Sequence, residues 1–173
     1  GQGGCGCVYL CASIDTNTVY ALKVLKPEDP RVEQAIKNEI ALMSISDHPN
    51  VIRYYETFDI SGCLWIVLEY MNGGSLTDLI FCHRDMTGQN LPEKVVVYVI
   101  HSLLHALSYL HDNYRIHRDL KSDNVLLTSA GEVKIADFGF AVQLTRERSH
   151  RHSIKGTPCW MAPELISSDT PYD

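Results

Sequence analysis

Residues 116–127 read Ile116-His117-Arg118-Asp119-Leu120-Lys121-Ser122-Asp123-Asn124-Val125-Leu126-Leu127. The carboxylate of Asp119 stands two residues before the cation of Lys121 and five before the amide of Asn124. The apolar run Val125-Leu126-Leu127 that follows reads as a short buried strand. Phosphoryl transfer is the chemistry that needs this set of groups. A carboxylate orients a hydroxyl and accepts its proton, a lysine neutralises the moving phosphoryl group, and an amide oxygen holds Mg2+. Farther on, Asp137-Phe138-Gly139 supplies a second metal-binding side chain. A turn at Ser129-Ala130-Gly131 and a strand over 132–136 leave room for one hairpin between Asn124 and Asp137, so both can reach the same metal ions.

Upstream, residues 1–8 (GQGGCGCV) fit the pattern GxGxxGxV, with Gly1, Gly3 and Gly6 letting the backbone approach phosphates closely. A dinucleotide-binding fingerprint shares GxGxxG but opens a helix. Here residues 8–12 (VYLCA) read as a strand, alternating βαβ units are lacking, and no Gly-Lys-Ser/Thr ending of a P-loop follows. Residues 19–25 (VYALKVL) form a β-rich run that places Ala21 and Lys23 on one face, a small residue for adenine beside a cation for phosphates. The alternative is an edge strand with a snorkelling lysine. A helix is expected over 30–46, with Val32, Ile36, Ile40 and Met43 as its apolar stripe and Glu39 at the edge of that stripe. His48-Pro49-Asn50 ends it, and strands are expected over 51–58 and 63–70.

A second stretch, residues 83–90 (HRDMTGQN), also fits HRDxxxxN. It has Thr87 in place of the lysine and runs into a helix start, Leu91-Pro92-Glu93, instead of an apolar strand. It reads as a chance match in a surface loop. The longest helix is expected over 92–111, with Val96, Ile100, Leu103, Leu107 and Leu110 as a continuous core stripe.

Taken together, GxGxxGxV, the VYALKVL strand, HRDLKSDN, DFG and residues 156–164 (GTPCWMAPE) resemble the catalytic domain of eukaryotic protein kinases across essentially the whole chain. Lys121 after the HRD aspartate marks the serine/threonine type. Residues 69–78 (EYMNGGSLTD), DFGF and GTPxWMAPE resemble the PAK branch of the sterile-20-like kinases. Cys159 departs from the aromatic usual there, and the loop before Pro92 is longer than usual. The resemblance implies an α+β, two-lobed fold: an antiparallel-sheet lobe with one helix over 1–70, a mostly helical lobe over 71–173, and a hinge at about 69–74.

It also implies roles. Asp119 is the base, Lys121 stabilises the transferring group, Asn124 and Asp137 hold Mg2+, Lys23 clamps the ATP phosphates, and Glu39 positions Lys23. Gly1, Gly3 and Gly6 cover the phosphates, and Val8, Ala21 and Leu126 sandwich adenine. Leu68 lines the back of the adenine pocket, and the backbones of Glu69 and Met71 meet its edge. Ser153, three residues before Gly156, falls where the family carries its activating phosphosite, and Arg118 is the natural partner for a phosphate there. The alternative is that Ser153 is simply an exposed serine. Protein Ser/Thr substrates are implied, as is a Rho-type small GTPase bound through regions outside this chain. A pseudokinase scaffold is the rival reading, although such proteins often lose one of the residues intact here.

The composition is ordinary for a globular domain, and the net charge of -6 argues against nonspecific nucleic-acid binding. No apolar run is long enough for a membrane span and no signal peptide is visible, which leaves a cytoplasmic protein as the default expectation. The cysteines at 5, 7, 11, 63, 82 and 159 lack structural-zinc spacing and read as free thiols. His101 and His105 lie four apart on a helix, a spacing that can grip a metal but is ordinarily helix surface. The chain starts at Gly1 inside a motif, so a fragment is expected, and residues 1–173 alone are expected to expose apolar surface of the long helix and fold poorly.

Overall fold

The computed structural model describes residues 2–3, 6–144 and 156–167. Gly1 and Ser153 lie outside the described residues, and so does the basic stretch 146–152. The first half of the chain is a five-stranded antiparallel sheet with one helix. In chain order come β1 (Gln2–Gly3), β2 (Gly6–Ala12), β3 (Val19–Leu25), α1 (Pro30–Ser44), β4 (Tyr54–Ile60) and β5 (Cys63–Glu69), with the strands ordered β1-β2-β3-β5-β4. The β4–β5 turn sets Ser61 (φ 54°) and Gly62 (φ 76°) in the left-handed region, the two-residue geometry that matches strand twist. β3 is central, pairing Lys23 with Val8 on one side and Ile66 on the other.

α1 starts because Asp29 caps it, accepting hydrogen bonds from the N–H groups of Arg31 and Val32, with Pro30 in the first turn. It ends at Ser44, two residues short of the expected bound. Its buried side chains are Ile36, Glu39, Leu42 and Met43, while Val32 and Ile40 pack partly against them.

The expected strand over 51–58 begins late. Val51 and Ile52 are each only 2% exposed, because they turn inward to meet Ile135. Val51 bridges it in parallel, and Ile52 N–H donates to its carbonyl at 2.9 Å. This contact joins the sheet to the second half of the chain. That half contains β6 (Gly74–Ser75), α2 (Leu76–Thr87), α3 (Glu93–Asp112), β7 (Arg115–Ile116), β8 (Val125–Leu127), β9 (Val133–Ile135), β10 (Val142–Gln143) and α4 (Pro163–Ser167). β6, β8 and β9 form a three-stranded sheet, while β10 pairs with β7. The fold is the expected α+β, two-lobed kind.

Two expectations are corrected here. The second HRD match does not lie in a loop: His83–Thr87 form the last turn of α2, which a Ser75/Asp78 capping box starts and Gly88 (φ 69°) stops. The core stripe of α3 is also rotated. Val96 and Ile100 are 44% and 50% exposed, and the buried track is Val99, Ser102, Leu103, Ala106 and Leu110. Apolar residues occupy several faces of this helix, so periodicity alone could not choose among them. Val97 and Leu104 are exposed as well. Among the described residues, no helix is long and apolar enough to cross a membrane.

Candidate active site

The loop between β7 and β8 owes its shape to buried polar contacts. His117, 2% exposed, bonds through Nε2 to the Ala136 carbonyl at 3.1 Å and accepts the Asp119 N–H at Nδ1 at 3.3 Å. These contacts put the ring proton on Nε2. Burial holds the His117 pKa below its ordinary value, although the Ala136 carbonyl and the charges of Asp137 and Asp119 pull the other way. The ring of Phe138 meets it edge-on, with centroids 5.1 Å apart, and is itself 1% exposed. Arg118 (φ 66°) and Asp137 (φ 64°) both adopt the left-handed conformation, which is uncommon outside glycine and clusters where side chains must be aimed.

Asp119 is 4% exposed, and its carboxylate is held on both oxygens. Oδ1 accepts from Thr157 Oγ1 at 2.6 Å; Oδ2 accepts from Asn124 Nδ2 at 3.0 Å and lies 3.1 Å from Lys121 Nζ. Burial alone would raise its pKa. The hydrogen bonds from Thr157 and Lys121, the lysine charge and the Asn124 amide outweigh it, and the carboxyl titrates below its usual range. Asn124 spends its second amide N–H on the Asp119 carbonyl at 2.9 Å, leaving Oδ1 as the atom free to face a cation. The β8–β9 hairpin pairs Val125 with Ile135 and Leu127 with Val133, which brings Asp137 back beside this loop.

On the sheet side, Lys23 Nζ lies 2.6 Å from Glu39 Oε1 and 3.4 Å from Asp137 Oδ1. Burial lowers the Lys23 pKa, but the charges of Glu39 and then Asp137 more than reverse it, so the amine stays protonated above its ordinary range. Glu39, at the edge of the apolar stripe of α1, turns its carboxylate into the interior. Its side chain is only 7% exposed because it reaches inward to the lysine.

Ala21 pairs across the sheet with Leu68, Met71 is buried, and Leu126 is half-buried in the strand opposite Ser75 and Lys134. Val8, opposite Lys23, is 42% exposed. Gly3 pairs with Gly6 across the β1–β2 turn. A Cβ on Gly6 would collide with the Val24 carbonyl and sit 2.6 Å from a Leu25 methyl, so close strand packing by itself demands glycine there. The N–H of Glu69 is committed to the Arg53 carbonyl at 2.9 Å, so any backbone contact it makes to a base falls to its carbonyl. Its side chain pairs with Lys134, both carboxylate oxygens lying 2.8 Å from Nζ.

Two features carried no signal strong enough to be read in advance. Thr157 had no role assigned within GTPCWMAPE, yet it bridges Asp119 and Lys121, accepting from Lys121 Nζ at 3.1 Å. Gly156 (φ 128°) makes the approach possible, since a Cβ there would meet the Arg118 carbonyl at 2.5 Å. The Glu69–Lys134 pair links residues 65 apart, beyond the reach of any local pattern. Arg118 donates from Nε to the Phe140 carbonyl at 2.6 Å, and its expected partner Ser153 lies outside the described residues.

Mg2+ prefers hard oxygen ligands and usually takes one or two from protein, the rest from water and phosphate. The Asn124 oxygen and the half-exposed Asp137 carboxylate fit that requirement. Among the described residues, no three His, Cys, Asp or Glu side chains gather as a closed metal cage.

The family profile described as "Protein kinase domain" matches residues 1–173. The chain is 42% identical over 173 residues to "Serine/threonine-protein kinase pakA" of Dictyostelium discoideum, covering 100% of this chain and 14% of that protein. It is 42% identical to "Serine/threonine-protein kinase 1" of Arabidopsis thaliana (100% of this chain, 20% of that protein). It is 40% identical to "Serine/threonine-protein kinase PAK 1" of Mus musculus (96% and 30%). The chain thus spans less than a third of the length of each of these relatives. With a match along its whole length, the chain belongs to the protein kinase domain family.

Proposed function

We propose that the protein is a PAK-like serine/threonine kinase that transfers the ATP γ-phosphoryl group to protein hydroxyls. The observation that carries this reading is the buried Asp119 carboxylate, gripped by Thr157, Lys121 and Asn124. A carboxylate held below its usual range is a weak base. It therefore serves chiefly to orient the incoming hydroxyl and takes the proton once the oxygen–phosphorus bond is forming. Lys121, beside it, supplies positive charge where the phosphoryl group moves. Lys23, fixed by Glu39, clamps the α/β-phosphates, and the glycine loop from Gly1 to Gly6 covers them.

Asn124 and Asp137 would hold Mg2+, which when bound neutralises phosphate charge. Adenine would lie among Val8, Ala21 and Leu126, with Leu68 behind it and the backbones of Glu69 and Met71 at its edge. Catalysis of this kind is positioning plus electrostatics. Phosphorylation of Ser153, paired with Arg118, is the proposed switch. The names of the relatives support protein Ser/Thr substrates. A Rho-type small GTPase, bound through regions outside this chain, is the partner that the PAK resemblance implies. The free thiols of Cys7, Cys11, Cys63, Cys82 and Cys159 suit a cytoplasmic location.

Phosphate transfer from labelled Mg-ATP to a generic serine/threonine substrate tests the reading, using the full-length protein beside its Asp119→Asn variant. Transfer that falls about 10²–10⁴-fold in the variant is expected. ATP binding without transfer in either, with Ser153 phosphorylated, would favour a scaffold that has lost catalysis.

A further inference from the structure

His101 and His105 occupy successive turns of α3, and both side chains are exposed. Their rings converge. The Nε2 atoms lie 3.2 Å apart, with centroids at 4.4 Å and planes at 74°. Two imidazoles one turn apart on a solvated helix face are free to splay outward; here the Nε2 of one ring faces the Nε2 of the other within hydrogen-bond distance. One metal–imidazole bond is about 2.0–2.1 Å long, so two such bonds put their nitrogens about 2.9 Å apart at a right angle and about 3.4 Å apart at a tetrahedral one. The observed 3.2 Å falls between those limits.

The surroundings extend the same track. One turn farther along α3, Tyr109 stacks on His48, with centroids 4.9 Å apart. His48 uses Nδ1 to accept the Asn50 N–H at 3.1 Å. Burial and then the charge of His105 lower its pKa, which places it beside the same face. No three metal-ligating side chains converge among the described residues, so two protein ligands and water make up the site.

We propose that His101 and His105 form a bidentate surface site for a divalent transition cation of the Zn2+, Ni2+ or Cu2+ type. Imidazole selects these over Mg2+ and Ca2+, which take oxygen ligands, so the site is chemically separate from the Mg-ATP site. In the metal-free pair one ring donates its Nε2 proton to the other. Binding moves that proton to Nδ1 of the same ring, both Nε2 lone pairs go to the metal, and two of its waters leave. No net proton is released from neutral imidazoles, and no oxidant or reductant is needed.

The test is site-resolved carbethoxylation of histidines in the full-length protein, read by mass spectrometry with and without Zn2+. His101 and His105 should lose reactivity together as Zn2+ is added, while exposed His111 keeps its own and Mg2+ protects neither. In the His101→Gln variant, protection of His105 should need at least about tenfold more Zn2+. Loss of reactivity at His111 in parallel, absence of protection at the pair, or an unchanged Zn2+ dependence in His101→Gln would each overturn the proposal. The wild-type protection pattern decides the matter even if the variant misfolds.

Discussion

Thr157 Oγ1 donates to Asp119 Oδ1 at 2.6 Å and accepts from Lys121 Nζ at 3.1 Å, which ties the stretch at Thr157 to the loop between β7 and β8. A hydrogen bond to a charged group is worth about 1.5–3 kcal/mol. Replacing Thr157 with valine keeps the volume and removes the bond. Phosphoryl transfer should fall roughly 10–100-fold, and the Asp119 pKa should move up toward the ordinary carboxylate value, shifting the acidic limb of kcat/KM to higher pH. Thr157→Ser should restore most activity. A valine variant with an unshifted profile would show that the hydroxyl only fills space.

Lys23 carries two carboxylate neighbours, and the closer one comes from α1. In Glu39→Gln the burial that lowers the Lys23 pKa remains while its largest compensation disappears, so the amine should titrate lower and lose its fixed position. The expected result is a fall in kcat/KM for Mg-ATP of about 10–100-fold, measured by steady-state kinetics.

His117 is buried neutral, with a folded pKa below its unfolded one. The unfolded chain then binds the extra proton first, so the contribution of His117 to stability is constant above about pH 6.5 and is lost as pH falls below it, by at most about 1.4 kcal/mol per pH unit. Asp119, also depressed, adds its own loss only at lower pH, below about 4. Urea melts between pH 7 and pH 5 should show this slope, and His117→Phe should flatten it. An equal slope in both proteins would assign the acid sensitivity elsewhere.

Asp85 lies in the exposed last turn of α2, with no lysine two residues beyond it and no apolar strand following. Asp85→Asn should leave phosphate transfer within about twofold of wild type, as an exposed substitution away from any special contact should. In the same assay Asp119→Asn should cut transfer about 10²–10⁴-fold.

Glu69 and Lys134 join β5 to β9, their side chains only 21% and 10% exposed. Lys134→Met leaves a largely buried carboxylate with the Arg53 N–H but without its cation and should cost roughly 2–4 kcal/mol of stability. The double variant Lys134→Met with Glu69→Leu should recover much of that in thermal melts.

The sequence by itself determined what depends on neighbours along the chain. Asp29 and Pro30 mark the start of α1, Ser75 and Asp78 that of α2, and the span from Asn124 to Asp137 permits only a hairpin. The acid, lysine and amide at 119, 121 and 124 were legible because one short loop carries all three. Tertiary structure decided the rest. Val51 and Ile52 leave their strand because Ile135 offers them a bridge and a carbonyl, and α3 buries Val99 and Ala106 instead of Val96 and Ile100. Thr157 reaches Asp119 across 38 residues. Local pattern encodes which elements form and which residues can do chemistry. Which apolar face is covered, and which distant side chain completes a carboxylate, is set only when separate elements close on one another and each buried polar group must find its partner.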